Sequence, residues 1–154
     1  MKGNAKVLKA LNTLLTEELS AINQYMVHSE MCADWGFEKL HEAIEKQAVD
    51  EMHHAEWLIR RVLFLEGHPN VYKLNPIKVG KTVPEMIALG GGAEHDAVKQ
   101  YNGAIALCAR EEDSGSKQLL EKILADEERH VDWAESQQEL IRQMGLQNYL
   151  ERQA

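Results

Sequence analysis

Six residues of this chain have the types and spacing needed to hold metal ions. Glu18 stands 33 residues before Glu51 (51 − 18), Glu94 stands 33 before Glu127 (127 − 94), and each later member opens a Glu-x-x-His that ends at His54 or His130. The second half repeats the first at an offset of 76 residues at every position (94 − 18, 127 − 51, 130 − 54). A four-helix bundle holds two ions with this layout, taking one Glu from each of two helices and a Glu-x-x-His from each of the others. The chemistry implied is the binding of a metal pair.

Glu-x-x-His alone is a weak signal. With 19 Glu and 7 His in 154 residues, about one such pair arises by chance, and Glu38/His41 is an unmatched example. Helical position carries the argument. Glu18 falls in the row Leu11, Leu15, Ile22, Tyr25, and Glu51 and His54 in the row Ile44, Ala55, Leu58, Leu65. Glu94 shares a row with Ile87, Val98, Tyr101 and Ile105, and Glu127 and His130 with Leu120, Ile123 and Val131. Four carboxylates thus face the core, where each costs on the order of several kcal/mol if ionised and uncompensated. A divalent pair removes that cost. His28, His41, His53, His68 and His95 read as satisfied structural residues.

The elements that must position these groups are long helices, so the fold class is all-α. One amphipathic helix is expected over residues near 5 to 34, ended by Trp35-Gly36, and a second near 38 to 66, ended by Gly67 with Pro69 beyond. The short turn makes them antiparallel. Pro69, Asn70, Asn75, Pro76 and Gly80 mark a long crossover between helices 2 and 3, which lets the third helix, Pro84 to about Glu112, run parallel to the second. The loop Asp113-Ser114-Gly115-Ser116 leads into a fourth helix from about Lys117 to Met144. Gly145 stops it, and Leu146 to Ala154 has room only for a short fifth C-terminal helix that must pack on something else. Gly90-Gly91-Gly92 inside the third helix predicts a late start, a kink or a loosened segment just before Glu94.

Length and composition narrow the field. Residues 1–154 read as a single domain able to bury a core without disulfides. A formal charge of −8 with dispersed basic residues argues against nucleic-acid binding. No apolar run reaches signal-peptide or membrane length, so no membrane role and a cytoplasmic location are expected. Cys32 and Cys108 lie far apart in helical stretches and read as small core residues.

With these helices and ligands placed, the sequence resembles the bacterioferritins, the haem-carrying branch of the ferritin-like superfamily. The resemblance covers essentially the whole chain. It is carried by Met1-Lys2-Gly3, Ala21-Ile22-Asn23-Gln24-Tyr25, Asp50-Glu51-Met52 with His54-Ala55, Leu63-Phe64-Leu65-Glu66-Gly67, and Met144-Gly145-Leu146-Gln147-Asn148-Tyr149-Leu150. It implies a ferritin-like four-helix bundle, a homo-oligomeric cage of twenty-four subunits built from two-fold dimers, and iron storage and detoxification. The implied enzyme is a ferroxidase using Fe(II) with O2 or H2O2, and depositing Fe(III) mineral inside. Glu18 and Glu94 would be terminal ligands, Glu51 and Glu127 bridging ligands, and His54 and His130 the nitrogen donors of a di-iron centre with two Fe per subunit. Carboxylate oxygens suit both iron oxidation states, and four of them balance a di-ferrous pair.

The same resemblance makes Met52 the axial ligand of haem b, one per subunit pair; its row on the second helix is semi-apolar and turned away from the metal row. Tyr25, seven residues after Glu18, either supplies a hydrogen bond or an electron or is a core tyrosine. Asp50, Asp126 and Tyr101 are candidates to orient the histidine rings. The stretch Glu45-Lys46-Gln47-Ala48-Val49 departs from the family, which often has a His and a Glu there for an inner-surface iron and a tyrosine near the haem. Asp34, Glu66, Asp132 and Glu139 read equally as pore acids or surface charges. A ferredoxin-type reductant is implied for iron release. The alternative is a haem and di-iron peroxide-scavenging or electron-transfer protein of rubrerythrin-like type, weakened by the missing four-cysteine module.

Overall fold

The computed structural model describes residues 1–154. Four long helices, α1 (Ala5–Asp34), α2 (Glu38–Phe64), α3 (Val83–Arg110) and α4 (Ser114–Met144), are followed by the short α5 (Leu146–Glu151). The hairpins α1/α2 and α3/α4 pack against each other through α1 on α3 and α2 on α4. This is the ferritin-like arrangement expected, with the crossover running between α2 and α3.

Local chemistry sets the helix ends. Asn4 caps α1 by accepting from the Lys6 and Val7 amides, and Thr82 caps α3 by accepting from Glu85 N. Asp113 caps α4 by accepting from Ser116 N at 2.9 Å, so that helix begins at Ser114, three residues earlier than the loop composition suggests. Gly36 and Gly145 take positive φ where α1 and α4 stop. At the end of α2 the left-handed residue is Glu66. Gly67 is required instead for closeness, since a Cβ there would lie 2.5 Å from Leu8 Cδ2.

The glycine run does not break α3, contrary to the sequence expectation. A Cβ on Gly90 would meet the Tyr25 ring at 3.4 Å, and one on Gly91 would meet Ala134 Cβ at 3.1 Å. Small residues therefore let α3 approach α1 and α4 closely, and packing offsets the roughly 1 kcal/mol each Gly costs relative to Ala in a helix.

Two apolar cores flank the middle of the bundle. One holds Leu11, Leu15, Leu58, Leu120 and Ile123; the other holds Cys32, Ile44, Met86, Ile87 and Tyr149. Both cysteines are free and buried. The fifth helix docks through buried Tyr149, whose hydroxyl donates to Gln137 Oε1 at 2.7 Å, and the Lys39 amide donates to Gln153 O at 3.0 Å. No helix is long and apolar enough to cross a membrane.

Regular structure is absent from the crossover, which is tied instead to a polar row on α1. Asn12 Oδ1 accepts from Asn70 N at 2.8 Å, Ser20 Oγ from Asn75 N at 2.9 Å, and His28 Nε2 from Gly80 N at 3.0 Å. Gln24 Nε2 donates to Lys78 O at 2.9 Å, and Asn75 Nδ2 to Glu17 Oε1 at 2.6 Å.

Candidate metal centre

All six residues singled out by spacing are buried and meet between the two cores. Each long helix contributes: Glu18 from α1, Glu51 and His54 from α2, Glu94 from α3, Glu127 and His130 from α4. They divide into two overlapping sets, Glu18, Glu51, His54, Glu127 and Glu51, Glu94, Glu127, His130, with donor atoms inside each set within 4.8 Å of one another. Glu51 and Glu127 belong to both. His54 Nδ1 lies 2.8 Å from Glu127 Oε1, 3.2 Å from Glu51 Oε2 and 3.5 Å from Glu18 Oε2. His130 Nδ1 lies 2.9 Å from Glu51 Oε1 and 3.3 Å from Glu94 Oε1.

The outer nitrogens of both rings are held crosswise. His54 Nε2 is 2.8 Å from Asp126 Oδ2 and His130 Nε2 is 3.1 Å from Asp50 Oδ2. With each Nε2–H donated to its aspartate, each Nδ1 faces inward and offers its lone pair to an ion once its own proton has left. Tyr101, an expected ring-orienting group, donates instead to Glu18, and Tyr25 donates to Glu94. These four supporting residues also obey the 76-residue offset (126 − 50, 101 − 25). That offset was the signal that could have sorted them by role.

Burial and mutual contact set the protonation of the cluster. Burial, then the Glu51 charge, raises the Glu18 pKa well above the carboxylate range, and burial, then the Glu18 charge, does the same to Glu127. Burial opposes ionisation of Glu51 too, but contacts with Glu18, His130 and His54 prevail and hold its carboxyl low. For His130, burial opposes the charge while the close Glu51 and Glu94 carboxylates outweigh it, pushing the pKa up to about 10. His54 is raised likewise, against burial, by Glu127, Glu18 and Glu51. Tyr25 and Tyr101 are kept as neutral phenols by burial and by Glu94 and Glu18 respectively.

The donor set fits a pair of cations. Glu18 Oε2, Glu51 Oε1, Glu127 Oε1 and His130 Nδ1 are buried and, although they lie close to oppositely charged groups of the cluster, none is aligned to form a hydrogen bond. Four such atoms in one protein interior are expensive unless an ion binds them. A cavity of about 390 Å³ between α1, α3 and the crossover reaches the cluster. Buried Glu18, Glu51, Glu94 and Glu127 lie at its floor, and the more exposed Glu17, Lys78 and Asp96 line its mouth.

Other residues read from the sequence lie elsewhere. Met52 is on the outside of α2, 43% exposed, beside equally exposed Val49. His28 is buried and neutral, its pKa lowered by burial, as fits its acceptor role toward Gly80. Glu66 pairs with the Met1 amino group at 2.9 Å and Glu139 with Arg142 at 2.5 Å. Both act as surface charges.

A family model for the ferritin-like domain matches residues 8–144. A bacterial ferritin of Synechocystis is 48% identical over 99% of each chain. A bacterioferritin of Rhodobacter capsulatus is 43% identical over 97% of this chain and 92% of its own, and one of Mycobacterium tuberculosis 40% identical over 97% and 94%.

Proposed function

The chain belongs to the ferritin-like family, among the bacterioferritins, and from that membership we propose that it stores and detoxifies iron as a ferroxidase. The observation that carries the reading is the convergence of four carboxylates and two imidazoles, with unpartnered atoms facing inward, at the floor of an open cleft.

Fe(II) is the substrate. It enters past Glu17 and Asp96 and is bound by Glu18, Glu51, His54, Glu94, Glu127 and His130. Glu51 and Glu127 belong to both donor sets and so bridge; Glu18 and Glu94 each serve one ion. Four carboxylates neutralise the four charges of two Fe(II) ions. The pair supplies two electrons to O2 or to H2O2, together with two protons, giving H2O2 or water. Tyr25 and Tyr101 restrain the terminal carboxylates by hydrogen bonding, while Asp50 and Asp126 fix the ring faces presented to the metal. The ferric product passes into a cage of twenty-four subunits and is held there as mineral.

Met52 is the ligand we propose for haem b at the two-fold interface. Its thioether is exposed on α2 rather than spent in the core, so a haem approached from two subunits can reach it. Haem would pass single electrons from a ferredoxin-type reductant toward the ferric mineral, so that iron leaves as Fe(II).

Aerobic titration of metal-free protein with Fe(II) tests the proposal. A fast phase saturating at about two irons per chain, followed by slow mineral growth, is the predicted result. Rapid peroxide consumption without iron accumulation would favour the rubrerythrin-like alternative instead.

A further inference from the structure

The cleft above the metal centre is wider than an iron ion and a two-oxygen oxidant need. Its volume of about 390 Å³ equals roughly a dozen waters at about 30 Å³ each and falls among pockets that hold small organic molecules. Glu18, Glu51 and Glu127 lie at its floor, each 3% exposed or less and each with a buried carboxylate oxygen that forms no hydrogen bond. The space therefore ends on groups that await a ligand.

We infer that this cleft admits small uncharged alkyl hydroperoxides, which oxidise bound Fe(II) as O2 and H2O2 do, and that Gly92 leaves room for the alkyl group. The inference rests on the ferroxidase reading of the centre. The step balances without a further reagent. The O–O bond of ROOH breaks, two Fe(II) each give one electron to become Fe(III), and two protons from solvent complete ROH and water.

The walls suit an alkyl group. Ala21 of α1, Ala88, Leu89 and Ala93 of α3, and Pro76 and Ile77 of the crossover line the space. The crossover wall is fixed by Asn75 N donating to Ser20 Oγ at 2.9 Å and Gln24 Nε2 donating to Lys78 O at 2.9 Å. The opening is thus formed before any ligand arrives. With the four floor carboxylates neutralised by two Fe(II), Glu17 and Asp96 at the mouth still outweigh Lys78. That balance disfavours anions such as peroxyacids and leaves neutral hydroperoxides as the class admitted.

Gly92 is the glycine that packing does not explain. A Cβ on Gly90 meets Tyr25 at 3.4 Å and one on Gly91 meets Ala134 at 3.1 Å, whereas one on Gly92 meets nothing within 4 Å. Glycine at that helical position forgoes stability without gaining a close approach. It lines the cleft two positions before Glu94, so any side chain there would stand in the space.

Anaerobic stopped-flow mixing of tert-butyl hydroperoxide with protein carrying about two Fe(II) per chain tests the activity. Bound Fe(II) is oxidised faster than free Fe(II), giving one tert-butanol for each pair of Fe(III) formed, with little acetone, the product of one-electron O–O cleavage. Gly92→Leu lowers the rate with tert-butyl hydroperoxide, relative to that with H2O2, by about tenfold or more, and Gly92→Ala lowers it less. On metal-free protein, saturation-transfer NMR detects tert-butyl hydroperoxide against the unmodified chain and loses that signal in Gly92→Leu. The inference is overturned, and the ferroxidase reading left standing, if H2O2 oxidises the bound iron and tert-butyl hydroperoxide does not, if acetone is the main product, or if Gly92→Leu changes neither the rate ratio nor the NMR contact. Failure of both peroxides would sink that reading and the inference with it.

Discussion

Protons stand in for metal ions at the residues of the centre. The His130 pKa, pushed up to about 10, and the likewise raised His54 keep both imidazoles protonated at neutral pH, so ligation must remove a proton from each, while burial biases Glu18 and Glu127 toward their neutral forms. Filling the pair therefore expels about two protons from the imidazoles, with any carried by Glu18 and Glu127 adding to them, a release that pH-stat titration with a divalent ion can read; uptake without release would contradict the assigned ionisation. The same shifts set the stability of the metal-free protein. A raised pKa means that the folded chain binds more protons than the unfolded one, so stability falls as pH rises. The His130 contribution is complete below its ordinary 6.5 and lost as pH passes about 10. Glu18 and Glu127 act in the same direction from 4.5 upward, and Glu51 opposes them only in acid, below 4.5. The thermal midpoint of metal-free protein should drop between pH 6.5 and about 10, and a flat profile would refute this. Asp126→Ala, which frees the His54 ring, should weaken metal binding roughly 10- to 100-fold by calorimetry. The convergence of the six residues was legible in the sequence because their periodicity and repeat coincide. The aspartates and tyrosines were named but not sorted, although the 76-residue offset that pairs Asp50 with Asp126 and Tyr25 with Tyr101 separates the two roles.

At the scale of elements, close approach explains what helix propensity alone could not. Gly91 lies where an added Cβ meets Ala134 at 3.1 Å, whereas Gly92 faces open space. Gly91→Leu should cost about 1–3 kcal/mol through overpacking, while Gly92→Ala should gain about 0.5–1 kcal/mol from helix entropy. Opposite shifts in thermal midpoint are the check; equal shifts would remove packing as the reason for the glycines. Element boundaries could be read within a few residues because caps and turn residues are local signals. The path of the crossover could not, since its order comes from partners on α1. In retrospect the row Asn12, Thr16, Ser20, Gln24, His28, polar at every fourth residue, was the clue. All five side chains or their neighbours hold the crossover or one another there. Gln24→Ala should raise amide hydrogen exchange around residues 75–80 and leave the helices protected.

The whole molecule is a bundle whose middle is polar and whose two ends are apolar, so the cores stabilise the fold while the centre is left free for chemistry. Leu63, Phe64, Val71, Tyr72 and Leu74 remain exposed at the end of α2 and along the crossover. Exposed apolar surface of this kind fits a subunit that buries it against copies of itself. At 17.5 kDa per chain, the cage we propose would elute near 420 kDa, as twenty-four copies. The expectation of a cage came only from family resemblance, because a single chain carries no symmetry operator.

The most direct test is an anomalous map at the iron edge from crystals loaded with Fe(II) without oxygen. Two peaks are predicted between the helices, one flanked by Glu18 and His54, the other by Glu94 and His130, with Glu51 and Glu127 between them. A centre without iron density, or iron found only outside the bundle, would contradict the account.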